Sequence, residues 1–407
     1  MKVDLMPIAV PALLAHPKFA AAAAYLEGAH DRLIEEIIQL TEIPAPPFKE
    51  ERRAAAFLEM MRPAGFADAK LDAIGNVVAL RKGRSGGGMI VLSAHLDTVF
   101  PEGTDVSVRR EGTKLFAPGI GDDTRGLAAL LAFARALDAA AIETEADLLF
   151  VADVGEEGRG DLRGIRHLFT EGEFRDRITG FFTFDSPDMD ELVVTAVGSR
   201  RYHVVFRGPG GHSFSAFGTV NPAYALAETV LGLSRMSVSS ETRTTFSASV
   251  LGGGTSINAI PEEVFVDVDL RSISPEDLAR IDTELHRLVD TAVANENARG
   301  STESGAITAE AVLIGDRPAG ATPRDSLIVT ASAEALAAFG FEVGFRASST
   351  DANIPMSLGV PAVMIGTGGK GGRAHTLAEW IDVEPETSLR GLKAGLAAFL
   401  GVVGLCD

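Results

Sequence analysis

The sequence predicts an α/β fold, and three observations predict it. Short apolar runs at 89–94, 148–152 and 178–184 suit buried strands. Helical or irregular stretches separate them, which argues for a sheet with substantial parallel pairing. Each run ends close to an acid or a histidine: His95, then Asp153 with Glu156 and Glu157, then Asp185. Ligands in open α/β sheets gather beyond the carboxyl ends of strands, so these run-ends are where chemistry is expected.

Taken in order, residues 19–40 read as one alanine-rich helix, stopped by Pro44, Pro46 and Pro47. A helix over 49–61 and an alternating strand over 76–81 follow. Glycines 86–88 then precede the strand that ends at His95. A small excursion at 105–111 leads to the loop 118–126, and 127–137 reads as a helix. After about Thr195 the pattern changes. Strands are expected at 202–207, 244–250, 263–271 and 305–314, with helices at 221–233 and 275–295. That order (strand, helix, strand, strand, helix, strand) suits a ferredoxin-like α/β unit. The predicted organisation is a first domain over 1–196 and 315–407, interrupted by an inserted domain over 197–314. The first domain resumes with a helix at 324–339, strands at 341–345 and 360–365, a glycine-rich run to His375, and a last helix at 385–400. The glycines of that run lack the lysine–serine or lysine–threonine ending of a phosphate-binding loop.

Composition narrows the function. The chain has 407 residues, 46% hydrophobic and 23% charged, which suits a globular protein with a substantial core. Lysine and arginine number 37 against 56 acids, a formal net charge of -19. Such a surface disfavours nucleic acid and anionic membrane as partners. Cys406 is the single cysteine, which excludes an internal disulfide framework. No apolar stretch is long enough to cross a bilayer, and a cytoplasmic location is expected.

His95, Asp122, Glu157, Asp185 and His375 are the residues expected around metal. Gathering so many carboxylates is unfavourable unless metal or hydrogen bonds compensate their charge. Imidazole and carboxylate ligands suit zinc, with cobalt or manganese as alternatives. Two closely spaced ions would polarise a carbonyl and activate water. Asp97, two residues beyond His95 on an extended segment, is placed to receive one imidazole proton. Glu156 is the candidate general base, since neighbouring side chains need not share an orientation.

Five landmarks in this order carry a resemblance. They are Ser93-Ala94-His95-Leu96-Asp97-Thr98-Val99, Gly121-Asp122-Asp123-Thr124-Arg125-Gly126, Glu156-Glu157-Gly158, Asp185, and Ala374-His375-Thr376. Over nearly its whole length the chain resembles the M20 family of dinuclear metallopeptidases and amidohydrolases, especially its peptidase T-like branch. The resemblance implies a metallopeptidase-type mixed sheet with helices on both faces, plus an inserted lid or dimerisation domain, and hence a homodimer. It makes Asp122 the carboxylate bridging two ions, with His95 and Asp185 on one, and Glu157 and His375 on the other. Asp97 would orient His95, Glu156 would handle protons, and the Asp122–Asp123 peptide would be cis. Thr124-Arg125 stands where relatives often carry lysine.

Gly208-Pro209-Gly210-Gly211-His212-Ser213 resembles the family segment whose histidine often completes a partner subunit's site, so His212 is a candidate oxyanion donor. The continuation Phe214-Ser215-Ala216-Phe217 departs from the usual glycine- or proline-containing one. Asn258 and Arg271 resemble lid residues that meet a substrate carboxylate or backbone. Glu379 and Asp351 are named for supporting or substrate contacts. The implied reaction is hydrolysis of an amide bond in a short peptide, as an aminopeptidase on di- or tripeptides. An N-acyl amino acid deacylase, a carboxypeptidase and a noncatalytic metal- or peptide-binding homologue are the alternatives.

Overall fold

A computed structural model describes residues 5–84 and 88–406. Glycines 86 and 87, expected to lead into the His95 strand, lie outside the described residues. The chain divides into two compact units, Met1–Ala196 with Ala321–Asp407, and Val197–Gly320.

The first unit is a mixed α/β structure. The middle of its main sheet runs Val77–Arg81, Asp147–Asp153, Met89–His95, Ile178–Phe184, Ala362–Ile365, Glu191–Ala196. Met89–His95 is parallel to both its neighbours, and His95 stands level with Asp153. The runs are buried on both faces, so alternate residues feed two cores. Ile90, Leu92, Phe182, Phe184 and Ile365 join the core formed with the helices Arg125–Ala139 and Pro385–Val403. Phe133 of the first helix packs against Phe184 and Phe399, ring centroids 5.1 and 5.4 Å away. Val91, Leu149, Val151 and Phe181 point the other way, to Ile165 and Leu168 of the helix Arg163–Thr170. A smaller antiparallel sheet pairs Lys370–Gly372 with Trp380–Asp382, which pairs in turn with Lys114–Phe116. The residues between its first two strands include His375 and Glu379.

The second unit has the antiparallel order Thr244–Gly253, Glu263–Ser272, Gly198–Arg207, Thr308–Arg317. With the helices Pro222–Ser234 and Pro275–Arg299 this is a ferredoxin-like unit. Val264, Val266, Val268 and Leu270 alternate into its core. Both helices begin with proline behind a side-chain cap: Asn221 accepts from the Ala223 amide, and Ser274 from that of Asp277.

Several elements differ from their expected bounds. The helix expected over 19–40 is two helices, Pro17–Gly28 and His30–Thr41, broken at Ala29. Gly28 holds the helical conformation weakly, and an Ala29 backbone with ψ near 11° ends the first helix. The strand expected at 341–345 lies at Gly344–Ser348, where it pairs with Glu191–Ala196, and the one expected at 305–314 lies at Thr308–Arg317. Glu191–Ala196 and Arg163–Thr170 were not expected at all.

Candidate metal centre

His95 ends its strand with its side chain 1% exposed. Its Nδ1 faces the main-chain carbonyl oxygen of Asp97 at 3.0 Å and the Asp97 carboxylate at 3.7 Å. Its Nε2 lies 2.9 Å from Oδ1 of Asp122. The other oxygen of Asp122 lies 3.0 Å from Nε2 of His375, and that nitrogen is 2.8 Å from Oε1 of Glu157. One carboxylate therefore spans two imidazoles, giving each its own oxygen.

The charges in this cluster are strongly perturbed. Burial alone would raise Asp122, but the hydrogen bonds from His375 and His95 hold it below the usual carboxylate range. Burial opposes the charge on His95, yet Asp122 and Asp97 raise it well above an ordinary imidazole. The contacts of His375 with Asp122 and Glu157 push it up to about 11. Burial, and then the charge of Asp122, push Asp185 up to about 7.

Three overlapping groups offer ligand atoms all within 4.8 Å of one another: His95, Glu156 and Glu157; His95, Asp123 and Asp185; and Asp122, Glu157 and His375. Imidazole nitrogens and carboxylate oxygens in this mixture are a donor set for divalent ions. Positive charge is also what the gathered acids need. The residues fit a dinuclear site with Asp122 in its middle.

Other residues hold these in place. The carboxylate of Asp97, 0% exposed, accepts the amides of both Glu156 and Glu157 at 2.9 Å. It thus sets the turn that carries both glutamates. The peptide between Asp122 and Asp123 is cis. Asp123 accepts the amides of His95 and Gly126, each at 3.1 Å. Glu379 accepts three amides of the Asp122 loop: Gly119 at 2.9 Å, Gly121 at 2.7 Å and Asp122 at 3.0 Å. Burial pushes its carboxyl up to about 7 in spite of these bonds. Arg53, fully buried, donates to the carbonyls of Leu96 at 2.7 Å and Ile43 at 2.9 Å, tying the first helices to the loop after His95. Arg53 and the bracing role of Asp123 were missed in the sequence. The doubled acid at 122–123 was the available signal for Asp123; Arg53 offered none.

Arg125 and Asp351 are both deeply buried. Arg125 is 1% exposed and donates to the Thr367 carbonyl and to Ser388. Asp351, named for a supporting or substrate contact, is 1% exposed. Burial, and then the nearby Asp153, raise its carboxyl well above the usual range.

In the second unit, His212 pairs with Ala259, and the Ser213 amide donates to the Asn258 carbonyl at 2.9 Å. Nδ1 of His212 accepts the amide of Phe214 at 3.2 Å, which puts the proton of a neutral ring on Nε2. Asn258 is exposed, and its Oδ1 accepts from Ser256 at 2.5 Å. Arg271 lies toward the far end of the Glu263–Ser272 strand, opposite Ser199, and its Nε donates to Asp269 at 2.7 Å. The unit thus brings His212 beside Asn258 and leaves Arg271 apart from them.

Known proteins share this architecture. The structure superposes on a tripeptidase from Staphylococcus aureus with a TM-score of 0.74 at 21% identity, covering 91% of this chain and 98% of that one. Aminopeptidase PepT from Bacillus cereus gives 0.73 at 20% identity, with the same coverages of 91% and 98%. A Pyrococcus abyssi protein named as a LysW-lysine/LysW-ornithine hydrolase is 35% identical over 133 residues, 33% of this chain and 36% of that one. The chain thus matches about a third of the length of the first curated relatives. Residues 91–402 match the model for Peptidase family M20/M25/M40, and the chain belongs to that family.

Proposed function

We propose that the protein hydrolyses an amide bond in short peptides, as an aminopeptidase on di- or tripeptides, with two divalent ions that are most simply zinc. The observation that carries this reading is the placement of Asp122 between His95 and His375, with Glu157 and Asp185 at the two ends. Bound there, the ions supply Lewis-acid polarisation of the carbonyl and activation of water. Glu156, held by the Asp97–amide bond and 5% exposed, takes the water proton and passes it to the leaving nitrogen. His212 offers Nε2–H to the oxyanion, and Asn258 beside it meets substrate backbone or carboxylate. Arg271 adds a guanidinium for a substrate carboxylate. Its bond to Asp269 makes it the weakest member of this set.

We assign the chain to a homodimer. The second unit supports this with outer strands that expose Val250 and Leu251 on one edge and Val312 and Leu313 on the other. Short peptides or N-acyl amino acids are the partners, in the cytoplasm. Among the described residues no helix is long and apolar enough to cross a membrane.

The test is a metal-replete screen of dipeptides, tripeptides and N-acyl amino acids with both products identified by mass. Release of the N-terminal residue, abolished by chelator and by E156Q while E156Q retains its metal, is expected. Release of only the C-terminal residue, or cleavage of N-acyl amino acids alone, would replace this reading with a carboxypeptidase or a deacylase.

A further inference from the structure

Apolar side chains left in water are ordinary when they stand singly and informative when they gather. Among the described residues the four most exposed large apolar side chains are Ile257, Phe217, Phe214 and Leu377, each 73% exposed or more; the next, Met6, stands at 61%. Their places are not scattered. Ile257 precedes Asn258, Phe214 and Phe217 follow His212 closely, and Leu377 lies two residues beyond His375. The most exposed apolar groups thus flank three residues to which the proposed function gives metal or substrate.

The two phenyl groups are carried on a turn built around His212. Its Nδ1 accepts the amides of Phe214 at 3.2 Å and Ser215 at 3.5 Å, and its carbonyl accepts that of Ala216 at 2.8 Å. The Phe217 amide donates to the Phe214 carbonyl at 3.4 Å. Antiparallel pairing of Gly211 with Ile260 and of His212 with Ala259 brings the segment of Ile257 alongside, and the Ser213 amide donates to the Asn258 carbonyl at 2.9 Å. The turn is held by its backbone, so its shape does not account for the exposed rings. Charge is also missing here. Residues 208–227 and 244–261 contain no Asp, Glu, Lys or Arg, in a chain that is 23% charged. A charged substrate side chain would find no counter-charge on either segment.

On the basis of the proposed peptidase activity, we infer that the substrate presents a bulky apolar side chain, and that Phe214 and Phe217 select it, with Ile257 and Leu377 adding apolar contact. Small-molecule sites commonly combine a few polar groups that fix orientation with apolar and aromatic side chains that supply contact area. His212 and Asn258 are the polar groups of this segment, and the neighbouring rings and Ile257 are the apolar ones. A ring on a side chain with two torsions loses little freedom when it is covered. A leucine or phenylalanine of the substrate displaces water from these rings, which an alanine leaves wet, and the difference is expressed in kcat/KM.

The experiment gives the metal-loaded protein trialanine and tripeptides in which leucine, phenylalanine, aspartate or lysine replaces each alanine in turn. At one position leucine or phenylalanine should raise kcat/KM by about 10-fold or more over alanine, while aspartate and lysine lower it. F214A/F217A should cut that preference to about 3-fold or less, and F214L/F217L should keep most of it. Both rings are exposed, so the variants should fold. L358A, which removes an exposed leucine outside these segments, should leave the preference as it is. Cleavage with no apolar preference at any position overturns the inference alone. A preference undiminished in F214A/F217A also overturns it, and light scattering that shows this variant to be monomeric would then give the rings to a second copy of the chain. No cleavage of any tripeptide overturns the peptidase activity itself, and the inference falls with it.

Discussion

Glu379 gives both carboxylate oxygens to backbone amides of the loop that aims Asp122, and gives none to the imidazoles. A glutamine there can accept with only one of its two ends, and its amide nitrogen would confront an N–H. E379Q is therefore expected to weaken metal affinity by about 10- to 100-fold, measured by competition with a chelating dye. Unchanged affinity would remove Glu379 from the site's support. The contrast with His95 explains what sequence could reveal. His95, Glu157 and Asp185 could be named from side-chain type at or near the ends of apolar runs, whereas Asp122 and His375 stand in connecting segments and could be named from side-chain type alone. Asp123, Arg53 and much of Glu379 were not legible, because their work is to satisfy backbone groups supplied by the fold. Asp97 lies between the two cases. It was named as a partner of His95, and its carboxylate also bonds the amides of Glu156 and Glu157.

At the scale of elements, the helix Arg125–Ala139 must start hard against the site. A Cβ on Gly126 would lie 2.2 Å from Asp123 Oδ1 and 2.2 Å from the Phe184 carbonyl oxygen. G126A is expected to cost at least about 2 kcal/mol in urea unfolding, because neither backbone nor brace can yield cheaply. Gly28 is the control. A Cβ there meets nothing within 4 Å, so G28A should be neutral or slightly stabilising. Equal effects of the two substitutions would contradict the close approach at Gly126. Strands buried on both faces were readable as unbroken apolar runs. Gly344–Ser348 was not, since this edge strand alternates weakly and its register is set by pairing with Glu191–Ala196. The break at Ala29 was equally hidden, because alanine itself favours helix and the turn there depends on packing around it.

For the whole molecule, the gathered acids make stability depend on pH and on cations together. Asp185 and Glu379 both stand at about 7 when folded, against 3.8 and 4.5 ordinarily. A carboxyl raised by folding holds its proton more tightly in the native state. Stability is therefore lost as pH rises from the unfolded values to about 7. His375, raised to about 11 from 6.5, contributes stability that is full below 6.5 and lost as pH rises through 11. These three groups act in the same direction, while the lowered carboxyl of Asp122 matters only below its usual value of 3.8. The metal-free protein should thus melt several °C lower, on the order of 3–6 °C, at pH 8 than at pH 5. Adding divalent cation should erase most of that difference. A metal-free melting temperature that rises over the same interval would contradict these assignments.

The dinuclear site itself is tested most directly by anomalous diffraction at the zinc edge on crystals equilibrated with zinc. Two peaks roughly 3.5–4 Å apart are expected, with one Asp122 oxygen toward each. His95 and Asp185 should flank one peak, and Glu157 and His375 the other. A single peak, or peaks away from Asp122, would contradict the account.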